Sequence, residues 1–168
     1  LGIGAGSREG DNVSPAALRY TFDGPALQVL PSFGVVAPTF HMTDPPPLDL
    51  PGCDINLAQV VHGSQAISLS APLPTSGSAT IRTTLTDVWD KGKAAVIGIE
   101  ADFSDSEGTV FTTRSTLFYI GAGGFGGEAG PSTRTLNLPP ERDPDLTVRD
   151  VTREEQGALY RLSGDRVA

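Results

Sequence analysis

The sequence predicts an α+β domain in which a curled antiparallel sheet surrounds one short central helix. Two observations lead to this prediction. Residues 58–120 contain long runs in which apolar and polar side chains alternate, which is typical of half-buried β-strands. Residues 29–40 carry apolar side chains at helical spacing, namely Leu30, Phe33, Val36 and Phe40. A helix this short is unstable alone, so we expect the sheet to bury it.

Composition limits the class of protein. The 168 residues suffice for one ordinary domain, and 20 Gly with 14 Pro indicate many turns around a modest core. A net charge of −8, with only 12 scattered Lys and Arg, argues against nucleic acid and against a membrane surface as partners. No run reaches the ~18 apolar residues needed to span a bilayer, and no signal peptide is visible.

The single cysteine, Cys53, cannot form an internal disulfide, which fits a reducing compartment and predicts a cytoplasmic location. The chain begins at Leu1, and its last residues have the pattern of a structural element that is beginning. We therefore expect the chain to be part of a longer protein.

The N-terminal part is predicted to be a loop followed by a short strand and the central helix. Gly2-x-Gly4-x-x-Ser7 is not a dinucleotide-binding motif, because no strand precedes it and the third glycine is missing. Residues 17–22 alternate enough to predict a strand that ends at Asp23. Pro31 is tolerated in the first turn of the central helix, whereas Gly34 and Pro38 limit that helix to about two turns.

The first two long strands are expected at 58–70 and 79–89, after an irregular proline-rich stretch at 41–56. If no bulge intervenes, one face of the first strand carries Val61, Gly63, Gln65, Ile67 and Leu69. One face of the second carries Ala79, Ile81, Thr83, Leu85 and Trp89.

Two tight turns connect the second strand to the next two. Asp90-Lys91-Gly92 predicts a hairpin in which Gly92 adopts positive φ, and residues 105–108 predict another turn. The strand between them has an apolar face, made of Ala95, Ile97, Ile99, Ala101 and Phe103. The last strand, 110–120, places Phe111, Leu117 and Tyr119 on one face, and Phe118 and Ile120 on the other. Strands of this length exceed the usual size and are expected to curl.

After the sheet, the sequence predicts a linker and one more helix. Residues 121–127 contain too many glycines to hold one conformation unaided, and prolines continue the irregular run. Thr152 and Glu155 have the spacing of a capping box, so a helix is predicted from about residue 152. Gly164 is a plausible C-terminal cap of that helix.

Several stretches, in order, resemble the MaoC-like type 2 enoyl-CoA hydratases, which are (R)-specific. They are residues 29–33, 61–65 (Val-His-Gly-Ser-Gln), 71–74, 87–92 (Asp-Val-Trp-Asp-Lys-Gly), 123–127 (Gly-Gly-Phe-Gly-Gly) and 158–165. The resemblance implies a hot-dog fold, in which a curled antiparallel sheet holds a central helix. It divides the chain into an N-terminal hot-dog repeat (1–120), a Gly/Pro-rich linker (121–150) and the first helix of a truncated catalytic repeat (151–168).

The resemblance also implies a reaction, the addition of water to a trans-2-enoyl-CoA to give a (3R)-3-hydroxyacyl-CoA in fatty-acid metabolism. The family's catalytic motif is Tyr-x-Leu-Ser-Gly-Asp-x-Asn-Pro-Leu-His. This chain matches it from Tyr160 to Asp165, and then Val167 and Ala168 replace the Asn and Pro. Asp165 matches the catalytic Asp, and its His partner is absent from the chain. From the residues alone, Asp165 is an ordinary solvated cap. The fragment by itself is therefore expected to be inactive.

Substrate contacts implied by the resemblance fall on His62, Gly63 and Lys91. Gly63 lets a ligand approach the strand backbone, and Lys91 on a turn can reach a CoA phosphate. His62 can donate or accept a hydrogen bond near the thioester. Without the resemblance, Lys91 is only a solvated turn lysine and His62 a satisfied histidine of the sheet.

Two further functions are weighed against the hydratase. The chain can be a stand-alone, non-catalytic hot-dog that binds acyl-CoA or partners a catalytic subunit. A hot-dog thioesterase ranks last, because no nucleophile or base for it is recognisable. No cofactor and no metal are predicted, since the CoA thioester is the substrate and the two histidines and one cysteine lack zinc spacing. The expected partners are an acyl-CoA and either a second hot-dog repeat or a second copy, and the expected location in a eukaryote is the peroxisome.

Overall fold

The computed structural model describes residues 14–37, 55–132 and 138–162. Its helices are α1 (Pro15–Thr21), α2 (Phe33–Val36) and α3 (Gln156–Leu162), and a 3-10 turn covers Leu57–Gln59. Its strands are β1 (Val60–Leu69), β2 (Thr80–Asp90), β3 (Ala94–Asp105) and β4 (Gly108–Ile120). The predicted α+β class is confirmed.

The four strands form one antiparallel sheet in the order β1-β4-β3-β2. The two predicted hairpins join β2 to β3 and β3 to β4, and β4 then pairs with β1. Gly92 in the first hairpin has a φ of 78°, as predicted. The carboxylate of Asp105 accepts hydrogen bonds from the N–H groups of Glu107 and Gly108 and so stabilises the second hairpin. β3 and β4 are central, which leaves β1 and β2 as the edges.

A bulge at Gly63 decides which side chains of β1 face the core. His62 and Ser64 pair with consecutive residues of β4, so the glycine is an extra residue. Beyond the bulge, the order of the two faces is reversed. His62 and Val60 therefore share a face with Gln65, Ile67 and Leu69, whereas Val61 lies on the opposite face. The predicted face, which assumed no bulge, is right for the last three residues and wrong for Val61 and Gly63.

A second bulge, at Thr86, has the same effect on β2. Leu85 pairs with Ile99, but Asp87 already pairs with Gly98. The face that contains Ile81 and Leu85 therefore continues through Val88, and Trp89 points to the other side. The prediction that placed Trp89 with Ile81 and Leu85 is wrong. The predicted faces of β3 and β4 are confirmed by their pairing.

The core lies on the face of the sheet that carries Phe103 and Phe111, which we call the inner face. The two rings stack with centroids 4.0 Å apart, and Leu73 completes the cluster. Phe103 is only 2% exposed. Val29 and Ala37, on either side of α2, pack against this cluster. The bulges increase the twist of the strands and let the sheet curl around it.

The central helix is shorter than predicted and touches the sheet differently. It has four residues instead of about two turns, and Phe40 lies outside the described residues. Gly34 is its buried residue, and a Cβ there would lie 2.5 Å from Ile67 Cδ1 and 3.1 Å from the Phe111 ring. Phe33 is 38% exposed. The glycine allows the helix backbone to lie directly on the sheet, so the predicted apolar stripe is not its main contact.

Residues 15–21 form α1, so the predicted strand at 17–22 is wrong. The side chain of Ser14 accepts a hydrogen bond from the N–H of Ala17, and Pro15 occupies the first turn. These are helix-starting features. The hydroxyl of Thr21 donates to the carbonyl of Ala17 one turn earlier. Capping therefore outweighs the alternation of apolar residues.

The C-terminal helix begins at Gln156, later than the predicted residue 152. Glu155 pairs with Arg153 instead of completing a capping box at Thr152. The N–H of Gln156 donates to the carbonyl of Arg153, which forms a turn just before the helix. The predicted cap at Gly164 lies outside the described residues.

Candidate functional site

The predicted substrate contacts lie at one end of the sheet but at opposite edges. His62 in β1 is aligned, across β4 and β3, with Val88 in β2. Lys91 follows β2 immediately, three positions later. Three strand spacings separate the two edges, which is about 14 Å. The two side chains therefore do not contact each other, and any single ligand that touched both would have to be elongated.

His62 is exposed on the inner face, and its ring is held by a neighbour. Its Nε2 lies 3.1 Å from the amide oxygen of Gln65. The amide nitrogen of Gln65 donates to the carbonyl of Ala66, which turns the oxygen towards the histidine. In the tautomer that donates its Nε2–H to this oxygen, Nδ1 is an acceptor. The sequence did not predict the contact between Gln65 and His62, because a residue three positions along a strand shares its face only when a bulge intervenes.

Position 63 has no room for a side chain larger than that of glycine. A Cβ at this glycine would lie 2.7 Å from Thr116 Oγ1 and 3.2 Å from the Thr116 carbonyl oxygen. The hydroxyl of Thr116 is in turn 2.7 Å from that of Ser64. The bulge and the close strand contact therefore depend on each other. Whether a ligand approaches here remains a prediction.

Lys91 is half-buried and partly engaged within the protein. Its Nζ donates to the carbonyl oxygen of Pro131 at 2.8 Å and lies 5.9 Å from the centre of the Trp89 ring. An ammonium has three N–H donors, so two remain after the bond to Pro131. The bulge at Thr86 is what turns the Trp89 ring to the side on which the 121–131 segment lies.

Asp90, the residue next to Lys91, is the centre of a local network that the sequence did not reveal. Its carboxylate accepts hydrogen bonds from the N–H groups of Gly124 (2.8 Å), Gly92 (2.7 Å) and Gly126 (2.8 Å). Its own N–H donates to the carbonyl of Glu128 at 2.7 Å. The Gly124 bond first, and then those of Gly92 and Gly126, lower the pKa of Asp90 below its ordinary value of 3.8. The available signal was an Asp before a turn glycine.

The lowered pKa predicts that the 121–127 segment is released in acid. A depressed carboxyl pKa means that the contribution of Asp90 is complete above the ordinary value of 3.8 and is lost as pH falls through the lower folded value. The amide protons of Gly124 and Gly126 should therefore move together in NMR spectra recorded from pH 6 towards pH 2, with a midpoint below 3.8. Asp90→Asn should abolish the transition. A midpoint at or above 3.8 would contradict the assignment.

The predicted catalytic Asp165, the single cysteine and the second histidine lie outside the described part of the chain. Asp165 is in the stretch 163–168, and Cys53 and His41 are in the stretch 38–54. Among the described residues, no group of three or more His, Cys, Asp or Glu side chains is placed to hold a metal ion. No helix in these same segments is long and apolar enough to cross a membrane.

Comparison with known proteins shows which family the sequence matches. Residues 1–121 match the family model described as the MFE-2 hydratase 2 N-terminal domain. The chain is 48% identical over 167 residues to a Mycobacterium tuberculosis protein named enoyl-CoA hydratase ChsH3, covering 99% of this chain and 56% of that protein. It is 34% identical over 167 residues to the mouse peroxisomal multifunctional enzyme type 2, covering 98% of this chain and 22% of the mouse protein. The chain thus spans about half of one relative and a smaller part of the other.

A solved structure supports the fold. A MaoC-like dehydratase from Phytophthora capsici superposes with a TM-score of 0.72 at 29% sequence identity, covering 88% of this chain and 53% of that one. The predicted hot-dog architecture is confirmed by this likeness and by the curled four-stranded sheet.

Proposed function

Because the chain belongs to the family of MFE-2 hydratase 2 N-terminal domains, we propose that it is the N-terminal hot-dog of an (R)-specific 2-enoyl-CoA hydratase. The observation that carries the proposal is the match of residues 1–121 to this family, together with 48% identity to a named enoyl-CoA hydratase over 99% of the chain. The whole protein would add water to a trans-2-enoyl-CoA and release a (3R)-3-hydroxyacyl-CoA.

The chemistry requires three kinds of group. A base removes a proton from water as its oxygen bonds to C3, an acid gives a proton to C2, and N–H donors stabilise the negative charge that develops on the thioester oxygen. Asp165 would be one member of the acid–base pair, and a histidine outside this chain would be the other. The repeat described here would therefore bind and orient the substrate and leave proton transfer to the second repeat.

The substrate contacts would be divided between the two edges of the sheet. His62, held by Gln65 and facing inward, would lie near the thioester, where its Nδ1 can accept a hydrogen bond. The bulge at Gly63 would bring strand backbone close to the ligand. Lys91, at the opposite edge, would contact a phosphate of CoA with its remaining N–H donors. An elongated CoA thioester suits this separation.

The exposed apolar surface of the edge strand β2 is an argument for a partner domain. Three apolar residues of its inner face, Ile81, Leu85 and Val88, are each more than 40% exposed. Leu162 at the end of α3 is 82% exposed. Apolar surface of this kind typically lies against another protein surface. We assign it to a second hot-dog repeat or to a second copy of the chain. Peroxisomal residence is named for the mouse relative, and for this chain it remains a proposal alongside the cytoplasm.

The test is hydration of crotonyl-CoA, followed by loss of the enoyl absorbance. It should be run on this chain of 168 residues and on the longest natural polypeptide that contains it. Turnover by the longer polypeptide and none by the 168-residue chain is expected. Turnover by the 168-residue chain alone would contradict the assignment of proton transfer to a second repeat. Binding of crotonyl-CoA without turnover by either would favour the non-catalytic acyl-CoA-binding module.

A further inference from the structure

The glycine-rich segment 121–131 does not project from the sheet but lies along the β2–β3 hairpin. At its beginning, the N–H of Gly121 donates to the carbonyl of Lys93 at 2.9 Å. Near its end, Gly130 packs so closely on the Trp89 ring that a Cβ would collide with it. The hairpin therefore holds both ends of the segment.

Between these ends, both the side chain and the backbone of Asp90 form hydrogen bonds with the segment. The carboxylate binds the N–H groups of Gly124 and Gly126, each at 2.8 Å, and the Asp90 N–H binds the carbonyl of Glu128. Gly124 and Gly126 have φ values of 83° and 80°, which L-residues rarely adopt. Convergent N–H groups in such a conformation form an anion-binding concavity. Here the anion is the protein's own carboxylate, so this glycine-rich run has no vacant cradle for a phosphate.

The position of the Lys91 ammonium depends on this arrangement. Its hydrogen-bond acceptor is the carbonyl of Pro131, which lies three residues beyond Glu128 in the segment that Asp90 holds. The Trp89 ring, which Gly130 covers, lies 5.9 Å from the same Nζ. If the segment moved away, Lys91 would lose its acceptor, and its flexible side chain would no longer be confined to one place.

We propose that Asp90 is a positioning residue for substrate binding, which fixes the 121–131 segment and thereby orients Lys91 towards the phosphates of a CoA thioester. The inference rests on the proposed function, since it assumes that Lys91 contacts CoA. Asp90 does not touch the substrate itself.

The test compares two thioesters in the longest natural polypeptide that contains the chain. Crotonyl-CoA carries the nucleotide phosphates, and crotonyl-pantetheine has the same reacting group and arm without them. Asp90→Ala is expected to raise KM for crotonyl-CoA about tenfold, the equivalent of one charged hydrogen bond, with little change in kcat. KM for crotonyl-pantetheine should stay within about twofold of the wild-type value. Amide exchange at Gly124 and Gly126 should accelerate in the same variant.

Asp105 offers a matched control in the other hairpin. Its carboxylate also accepts N–H bonds from its own turn, from Glu107 at 2.8 Å and Gly108 at 3.2 Å, but it lies at the opposite end of the sheet from Lys91. Asp105→Ala should therefore leave KM for both thioesters unchanged. Asp90→Asn keeps an acceptor for Gly92 and Gly124 and loses the one for Gly126, so its effect on crotonyl-CoA should be smaller than that of the alanine variant. It also serves if the alanine variant fails to fold.

The failures are distinguishable. Wild-type protein that hydrates neither thioester would overturn the proposed function and the inference with it. Wild-type turnover with an unchanged KM in both Asp90 variants would overturn the inference alone. Equal losses with both thioesters, or an effect of Asp105→Ala as large as that of Asp90→Ala, would show a general structural loss and would also overturn the positioning role.

Discussion

Phe103→Ala is expected to lower the free energy of unfolding by about 3 to 5 kcal/mol. Phe103 is 2% exposed and stacks on Phe111 on the inner face, at the end of the sheet next to the β3–β4 hairpin, where Leu73, Val29 and Ala37 pack against the pair. Among the described residues, no large side chain is less exposed than Phe103. The cavity would open in the cluster that Phe103 forms with Phe111 and Leu73, and total stabilities are only about 5 to 15 kcal/mol.

Urea unfolding followed by tryptophan fluorescence measures this effect through Trp89. Phe118→Ala is the control, because Phe118 belongs to the same central strand β4 but lies on the other face and is 36% exposed. Its expected loss is about 1 to 2 kcal/mol. If Phe103→Ala is unfolded in buffer, Phe103→Leu should lose about 1 to 2 kcal/mol and remain measurable. Equal losses for the two phenylalanines would contradict the position assigned to the core.

The hairpins and the faces of β3 and β4 were predictable from the sequence because their signals are local. Asp90-Lys91-Gly92 joins two alternating runs, and a turn of that chemistry fixes the register of the strands on either side. β3 pairs with β2 and β4 without a register shift from Ala95 to Ile97, so the alternation of faces holds there even though residues of both faces are buried. Local turn chemistry and alternation were sufficient in this part.

The faces of β1 and β2 could not be read in the same way. A single extra residue at Gly63 or Thr86 exchanges the two faces of a strand, and the position of such a residue depends on the partner strand. For β1 the consequence reaches the candidate site, because it moves His62 to the inner face beside Gln65. The family resemblance identifies His62 as a candidate, but the sequence does not predict that its ring contacts Gln65 on the inner face.

The α1 region shows a different kind of error. Ser14 and Pro15 are helix-starting signals, whereas the alternation from residue 17 to 22 on its own predicts a strand. Only Ala17 of that helix is buried, so there is little tertiary packing to mark its inner face. A short amphipathic helix and a short strand give similar patterns over six residues.

The role of Asp90 could not be predicted because its partners are distant in sequence. Gly124 and Gly126 lie 34 and 36 residues away from it. The sequence indicated only that the glycine-rich run needed help to hold one conformation. The hairpin provides that help, and the segment follows the sheet as a result.

If the proposed function is right, Asp165→Asn is expected to lower kcat for crotonyl-CoA hydration about 10²- to 10⁴-fold with little change in KM. The amide has nearly the shape of the carboxylate but cannot take up a proton from water, so an interaction needed in the transition state would be lost while the ground-state complex survives.

His62→Ala should give the opposite pattern, a higher KM for crotonyl-CoA with a smaller change in kcat, because His62 is assigned to substrate contact and its ring is held on the inner face by Gln65. Steady-state kinetics on the longest natural polypeptide that contains the chain separates the two. A kcat that survives in Asp165→Asn and collapses in His62→Ala would mean that proton transfer belongs to the repeat described here.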